Sequence, residues 1–549
     1  MTTTELDTPI LIAGGGPTGM ALAIELGWRG VPCTVLEMGD GTVDHPRLGT
    51  ILSRTMEFCR RWGIIDRVYN CGFNNDYGLN VVYCTSLAGH LLARDDVASC
   101  NEMPLPPQSP VRRQRCPQIW FNPLLEKAAD EYDTVTIHHF SKLESFVDHG
   151  EYVEARVVDT RSGEMRTLRA KYLVGCDGAS SVVRSSLDIP MQGNPVLSYS
   201  INIFIRCPGL VNLHDKGPAE RYIFIGKDGT RGNLTVVDGR ELWRITLIGT
   251  TTMPNLETFD AQAVVREFLG TDTIPFEIIS VKPWRRTELT AQRFREGRVF
   301  LAGDAAHTMS PTGGHGMSTG MADAVDLGWK FEAVLKGWGG EALLDSYDLE
   351  RRPIAALVAA ASANNFHLLV SVPDCGAILD AGPEGEACRE KVGKHMLKAG
   401  REDWDCLGLQ LGYHYENSPI CVPDGTAEPR VTVIEYHQTA RPGSRAPHVW
   451  LPDGRSMLDL YGRGYTLLRF DETVEAQALL NGAESRGMPL KLVDLYQPAI
   501  AALYENRLVL VRPDGFVAWR GDALPEDPDT LLDVVTGVVA AHRDTLLTA

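Results

Sequence analysis

Residues 9–37 read PILIAGGGPTGMALAIELGWRGVPCTVLE, and this stretch decides the fold. Pro9 to Ala13 is a short apolar run bounded at once by three glycines, which predicts a buried strand. Met20 to Trp28 reads as a helix closed by Gly30, and Pro32 to Glu37 as a second buried strand, so the stretch is one β-α-β unit. Between the first strand and the helix lies Gly14-x-Gly16-Pro17-Thr18-Gly19, with Glu37 eighteen residues beyond the last glycine. Glycine is needed where the turn is tight and where the backbone must approach a pyrophosphate. The helix N-terminus then offers N–H groups and a positive dipole end to the phosphates. Glu37 is placed to accept hydrogen bonds from a ribose. Glycine makes up 53 of 549 residues, so a bare triplet says little. Set between strand and helix, with the acid at that distance, it points to a dinucleotide site.

Composition bounds the rest. The residues are 44% apolar and 23% charged, and 53 Lys+Arg against 71 Asp+Glu leave a formal charge of −18. At about 150 residues per domain the length allows three or four domains, and a largely disordered chain is excluded. An acidic chain is a poor ligand for nucleic acid or for an anionic membrane. Met1 to Thr8 lack the basic-then-apolar order of a signal peptide. The longest strongly apolar stretch, Ile354 to Ala363, is ten residues, about half of what a membrane span needs. Twelve cysteines occur without a Cys-x-x-Cys pair. Reduced thiols, a cytoplasmic location and no metal site are therefore expected.

Periodicity divides the chain. Arg54 to Trp62 and Asn122 to Glu131 read as helices, and residues 80–116 are irregular. From 196 to 250 the period is mostly two, which predicts a second β-sheet. Residues 283–353 return to strand, Gly-rich loop and long helix, and 407–447 are punctuated by Gly and Pro. The last hundred residues look like a small α/β unit with strands at 466–470, 491–494 and 508–512.

Several motifs follow the first. Cys176-Asp177-Gly178 ends a strand, and Arg298-Val-Phe-Leu-Ala-Gly303-Asp304 runs another strand into Gly-Asp. Pro311-Thr-Gly313-Gly314-His315-Gly316-Met317 follows it, and Tyr347-Asp-Leu-Glu-Arg351-Arg352-Pro353 closes a long helix. With His45-Pro46-Arg47 and Gln118, these elements span residues 10–353 in the order of a known family. The chain resembles the FAD-dependent single-component aromatic hydroxylases, the para-hydroxybenzoate and phenol hydroxylase type.

That resemblance, which selects FAD over NAD(P) for the fingerprint, implies an α/β architecture of three units. A Rossmann-like FAD-binding domain would comprise 1–80, 112–195 and 283–400. A mixed or antiparallel substrate-binding sheet would be inserted as 81–111 and 196–282. Residues 401–447 would link these to a thioredoxin-like α/β domain at 448–549, which lacks Cys-x-x-Cys and so can only brace or form an interface. The resemblance also implies that Asp304 binds the ribityl chain of FAD and that the loop from Pro311 through Gly314, Gly316 and Met317 faces the flavin pyrimidine edge. By the same likeness, Asp177 and Gly178 lie near the pyrophosphate, Arg47 contacts the FAD phosphate and the entering nicotinamide, and Gln118 contacts the flavin.

The implied activity is hydroxylation of a phenolic substrate with NADPH or NADH and O2, through a 4a-hydroperoxyflavin. Arg244, His315 and Tyr222 are the catalytic candidates: Arg244 to stabilise phenolate, His315 because flanking glycines suggest an exposed loop, and Tyr222 as a polar residue of the second sheet. Tyr199 and Asn202 share that sheet. His307 is expected to position the flavin loop, and Arg351 and Arg352 to make structural ion pairs. Two departures stand out. Gly49 occupies the position where phenol-type relatives carry a His or Asp that contacts the substrate hydroxyl, and Ser318 replaces the usual asparagine. A homodimer is compatible with the family. An oxidoreductase acting on a non-aromatic substrate, and a non-catalytic FAD-binding or assembly protein, are the alternatives. NADPH oxidation stimulated by phenols separates them.

Overall fold

A computed structural model describes residues 5–45 and 49–539. Arg47 lies outside the described residues, as does the chain from residue 540. The first sheet has eight strands. Its spine, in spatial order, is Arg295–Glu296, Val299–Leu301, Met165–Gly175, Thr8–Ala13, Cys33–Leu36 and Val135–His138. All but the first of these run parallel to their neighbours. Both faces are covered, so the strands are apolar throughout, as buried parallel strands must be. Ile10, Leu11, Ile12, Leu173, Val174, Val299 and Leu301 are all sealed from solvent. The last residues of four adjacent strands lie in register: Leu301, Gly175, Ala13 and Leu36. The loops that follow carry Gly303-Asp304, Asp177-Gly178, Gly14–Gly19 and Glu37. Motifs far apart in sequence thus meet at one sheet edge, where open α/β sheets bind their ligands.

Helix Pro17–Trp28 follows the first strand and packs on helix His315–Leu335. The approach is close because Thr18 sits between Gly303 and Gly320, and Glu25 against Gly328. A helix over Asn122 to Glu131 was expected from the sequence; it runs from Gln118 to Asp130. Pro123 lies inside the helix, and Pro117 is the cap. Gln118 is therefore in the first helical turn.

The second sheet also has eight strands. The order is His307–Thr308, Glu277–Ala291, Met191–Arg206, Leu242–Ile248, Gly229–Val236, Arg221–Gly226, Val81–Cys84 and Leu91–Asp95. Neighbours are antiparallel except for Arg221–Gly226 beside Val81–Cys84, so the sheet is mixed. Met191–Arg206 and Glu277–Ala291 pair along almost their full length. One face is apolar, with Ile203, Tyr222, Phe224, Leu234, Trp243 and Ile245 packed against Val265 and Phe268 of helix Ala261–Leu269. Residues 354–400 do not stay with the first sheet. Helix Glu341–Val370 spans both units, and Val392 and Met396 of helix Pro383–Ala399 pack on Val81, Tyr83, Ile223 and Ile225. By length and mean hydropathy Glu341–Val370 is apolar enough to cross a membrane. Here it is an internal helix that carries Arg351 into an ion pair with Asp323 at 2.8 Å.

The C-terminal unit holds four strands in the order Leu490–Asp494, Tyr465–Arg469, Leu508–Val511 and Val517–Gly521. The first pair is parallel and the other two pairs are antiparallel. With helices after the first, second and fourth strands in sequence, this is the thioredoxin-like β-α-β-α-β-β-α topology. The unit is tied down by buried charge: Arg512 pairs with Glu350 at 2.5 Å, Asp514 at 2.6 Å and Asp326 at 3.3 Å. Lys330 reaches Asp326 and Glu350, each at 2.7 Å. A second anchor joins Arg445 to Glu57 at 2.5 Å, and Glu57 also holds Arg54 at 2.8 Å.

Burial makes the fold acid-sensitive in a definite window. It pulls the imidazoles of His315 and His448 down to about 4. A histidine whose folded value lies below its ordinary value contributes stability that is complete above about 6.5 and is lost as the pH falls towards 4. Each imidazole is worth on the order of 3 kcal/mol over that interval. The urea midpoint of the holoprotein is expected to drop steeply between about pH 6.5 and 4.5, and less steeply in His315→Gln.

Candidate functional site

The Gly14–Gly19 turn assigns a separate task to each glycine. Gly14 has φ +107, and a Cβ there would collide with the Cys176 carbonyl; a Cβ on Gly19 would strike the Gly14 carbonyl. These two glycines close-pack the strand, the turn and the neighbouring loop. Gly16 is different: its φ is −70, and a Cβ would meet nothing within 4 Å. It caps a helix that begins with Pro17 and has no side-chain cap and no acid in its first turn. An uncapped helix start facing open space is an anion site in waiting. Gly178 and Gly314, on two other motif loops, also face space empty to 4 Å. Each of the three turns thus leaves its backbone open to a ligand, and strand register sets the first two side by side at the end of the first sheet.

Glu37 is held in place by the Gly15 amide on Oε2 at 2.9 Å and the Gly39 amide on Oε1 at 2.8 Å. Asp177 caps the short helix Val182–Ser186, accepting the Val182 amide at 2.7 Å and the Ser181 hydroxyl at 2.5 Å. Its carboxylate thus shapes the turn, and Gly178 presents the backbone. Asp304 is exposed in the single turn Gly303–Ala305, and the next long helix begins only at His315. Asp323, which the sequence did not single out, organises what lies beneath. It accepts the Gly303 amide at 3.1 Å, His307 Nε2 at 2.7 Å and Arg351 Nε at 2.8 Å. Burial opposes its charge, but His307 and Arg351 hold it below the usual carboxylate range. Arg351 and His307 are thus structural supports of the Gly303-Asp304 turn. Arg352 makes its own pair with Asp348 at 3.2 Å.

The second sheet meets the Pro311–Met317 loop through Arg286, on its polar face. Cross-strand pairing sets Arg221, Thr235, Arg244 and Phe204 in one row, with Asn202 and Thr246 in another row of the same face. Trp284 Nε1 and Thr246 Oγ1 both donate to Asn202 Oδ1, at 3.1 and 2.8 Å. Arg286 is 4% exposed, lies over the Trp284 and Phe366 rings, and donates to Ser310 Oγ at 2.8 Å and Thr312 Oγ1 at 3.3 Å. It ties the sheet to the Pro311–Met317 loop. Arg221 pairs with Asp403 at 2.9 Å and stacks over Trp404 at 4.6 Å. On the other side, His45 Nδ1 meets Ser280 Oγ at 2.8 Å. Burial, with the like charges of Arg221 and Arg115, draws Arg244 down to about 10. Burial draws Arg286 to about 9, against the pull of Asp403. Both guanidiniums remain cationic at neutral pH.

Of the catalytic candidates, strand alternation puts Arg244 alone on this polar face. Strand alternation puts Tyr222 on the opposite face from Arg244: it pairs with Leu234, is fully buried, and donates its hydroxyl to the Gly217 carbonyl. Tyr222 is part of the apolar core and is withdrawn from the site. Tyr222→Phe is expected to leave turnover unchanged and to cost about 1 kcal/mol of stability in a denaturant titration. His315 is also corrected. It is not on an exposed loop but is the first residue of helix His315–Leu335, 2% exposed, with its ring folded back against Gly313. It lines a small cavity of about 30 Å³ with Arg54, Arg351 and Tyr413. Gly316 and Met317 follow in the first turn of the same helix, which Gly314 caps with φ +68.

The sequence reading also missed Arg286 and Asp403. Arg285 and Arg286 are adjacent, yet Arg285 is exposed and Arg286 is buried; only the register tells them apart. Asp403 lies in the segment read as a linker.

A family profile described as FAD binding domain matches residues 7–362, and one described as aromatic-ring hydroxylase, C-terminal, matches residues 439–541. The curated 4-methyl-5-nitrocatechol 5-monooxygenase of a Burkholderia species is 32% identical, over 96% of this chain and 96% of its own. Tetracenomycin B2 monooxygenase-dioxygenase of Streptomyces olivaceus is 31% identical over 98% and 99%. Among solved structures, RebC soaked with chromopyrrolic acid superposes with a TM-score of 0.91 at 38% identity, covering 98% of this chain and 100% of that one. Aklavinone-11 hydroxylase with FAD and aklavinone gives 0.82 at 27% identity, covering 97% and 100%.

Proposed function

The chain belongs to the FAD-dependent aromatic-ring hydroxylases, and from that premise we propose that its substrate is a phenolic aromatic acid bound against the Arg244 and Arg286 face. Bound FAD, reduced by NAD(P)H, supplies oxygen activated for transfer to the ring. The chain's residues do the holding. The Gly14–Gly19 turn and the start of helix Pro17–Trp28 take the pyrophosphate, Glu37 the ribose, and Asp304 the ribityl chain. The helix start at Gly314–Met317 directs backbone amides at the flavin edge that becomes negative. Gln118, and Arg47 by family likeness, complete the cofactor contacts.

One observation carries the substrate class. Arg221, Arg244 and Arg286 gather on one face of a chain whose formal charge is −18, and Asp403 pairs with Arg221. The summed positive charge of that face favours an anionic ligand, and the Trp284 and Phe366 rings, each stacked by Arg286 on one side, give it an aromatic character. The names of the relatives agree with both halves: chromopyrrolic acid is an acid, and 4-methyl-5-nitrocatechol is a phenol. The same reading places the enzyme in the cytoplasm, where NAD(P)H is available.

The test is a panel of phenolic aromatic acids alongside their methyl esters, scored by stimulated NAD(P)H oxidation and hydroxylated product. Acids are expected to stimulate at least about tenfold better than their esters, the discrimination that loss of one charged contact gives. Esters that match the acids would remove the carboxylate from the reading. Normal affinity for the acids in Arg244→Met would remove Arg244.

A further inference from the structure

Gly49 leaves the family's position for a phenol-contacting acid or histidine empty of a side chain, and the structure shows why none fits. A Cβ on Gly49 would run into the Arg115 guanidinium. That guanidinium is fixed by Glu220 at 2.9 Å and by the Val236 carbonyl at 2.6 Å. The phenol then either needs no base, gives its proton to water, or gives it to a side chain of another element.

We propose that Asp403 accepts the phenolic proton of the substrate, a role that rests on the phenolic-acid reading above. Asp403 stands in the short helix Arg401–Trp404, and its side chain is 9% exposed. Oδ2 receives Arg221 at 2.9 Å, while Oδ1 is buried without a close hydrogen bond, the Gly313 amide approaching the carboxyl from farther off. A buried acceptor without a donor costs about 1–3 kcal/mol, and a phenol O–H is a donor of the right kind. The helix is held to the flavin side: Asn365 Nδ2 donates to the Glu402 carbonyl at 3.4 Å, and Asn365 also borders Gly313. The charged and titratable groups facing the carboxyl are known from every packed element. They are Arg221 and, farther off, Glu220 beside strand Arg221–Gly226, Arg286 on Glu277–Ala291, Tyr83 on Val81–Cys84, and Cys406 just beyond the short helix itself. The Gly313 amide faces it from the loop. Burial raises the carboxyl above its ordinary value, and Arg221 and the amide restrain the rise. A raised carboxyl is a better match to a phenol than an ordinary one.

The step is a proton transfer without change of oxidation state. The phenol O–H bond breaks, its electron pair stays on the phenolic oxygen, and the proton bonds to Oδ1. Arg286, near enough to Asp403 for the two charges to interact, is the cation at hand for the oxygen that becomes negative. The reverse transfer restores the carboxylate when the product phenol re-forms.

The test uses the FAD-loaded enzyme with 6-hydroxy-2-naphthoate as probe, measuring product formed per NAD(P)H oxidised. Near neutral pH, Asp403→Asn is expected to form product at least about tenfold less efficiently than wild type. At about pH 10, where the phenol ionises unaided, the two are expected to agree within about threefold. Asp403→Glu keeps the acceptor and is expected to restore neutral-pH coupling. FAD content and the visible flavin spectrum identify any variant that fails to fold. Unchanged neutral-pH coupling in Asp403→Asn overturns the role, as does a loss that persists equally at high pH with FAD retained. No product from wild type defeats the phenolic-acid reading itself, and the role falls with it.

Discussion

Gly16→Val is expected to give a folded but colourless protein, and Gly14→Val a protein that does not fold stably. The two residues lie in one turn, yet their surroundings are opposite. Gly16 has an ordinary φ and open space where a Cβ would stand, so valine strains nothing in the chain. It does fill the space through which a pyrophosphate must approach the helix N-terminus. The expected loss in FAD affinity is at least about 100-fold, or roughly 2.7 kcal/mol. Gly14 has φ +107, and its Cβ would strike the Cys176 carbonyl. That backbone conformation alone costs a side chain on the order of 1–3 kcal/mol, before the collision is counted. Flavin absorbance after gel filtration and a denaturant titration separate the two outcomes. A yellow Gly16→Val protein would show that the pyrophosphate does not sit at this turn.

The second large effect is expected at Arg512. Its guanidinium is fully buried and serves Glu350, Asp326 and Asp514 together, with Lys330 as the remaining cation. Arg512→Met removes one charge, leaving Asp514 without its cation and Asp326 and Glu350 to share Lys330. Breaking a buried pair from one side costs about 3–5 kcal/mol. The C-terminal unit should release first, because this residue joins it to helices His315–Leu335 and Glu341–Val370. Limited proteolysis in 407–447 and a lowered urea midpoint report the two parts of the effect. The deficit also has a pH signature. In the wild type Arg512 and Lys330 overcome burial and hold Glu350 at about 2, so its contribution is complete above its ordinary value and is lost only as pH falls through about 2. Burial, with Glu350 alongside, pushes Asp326 up to about 7 against the pull of Lys330. Without Arg512 these carboxyls protonate more readily. The gap between variant and wild type should therefore narrow as pH falls towards about 4.5. A deficit below about 1 kcal/mol at neutral pH would mean that the cluster does not anchor the unit.

The tight turns after the first-sheet strands were legible in the chain itself, for a reason that Gly14, Gly19 and Gly303 make plain. Positive φ and backbone-to-backbone approach admit few residue types, so the sequence must spell them out. Gly303-Asp304 and Asp177-Gly178 were readable for the same reason, although Asp177 proves to cap a helix as well. The substrate face was not legible. Tyr222 and Arg244 are equally polar in a period-two stretch, and nothing local says that register turns one into the core and the other to the polar face. Arg285 and Arg286 pose the same problem one strand away. His315 looked exposed because glycines flank it, but those glycines serve the cap of a buried helix. Asp403 had no signal, because its meaning comes from Arg221, 182 positions away.

The sequence by itself determined the β-α-β unit, the dinucleotide fingerprint, the period-two second sheet and the family that these motifs resemble. Each is written in short-range constraints of φ, strand alternation and turn chemistry. The tertiary structure alone decided which side chains of that second sheet face the flavin loops, that helix Pro383–Ala399 covers the second sheet, and that Arg512 and Arg445 weld the C-terminal unit to the rest. Those outcomes depend on register and on charges brought together from hundreds of residues apart, and no local pattern encodes either.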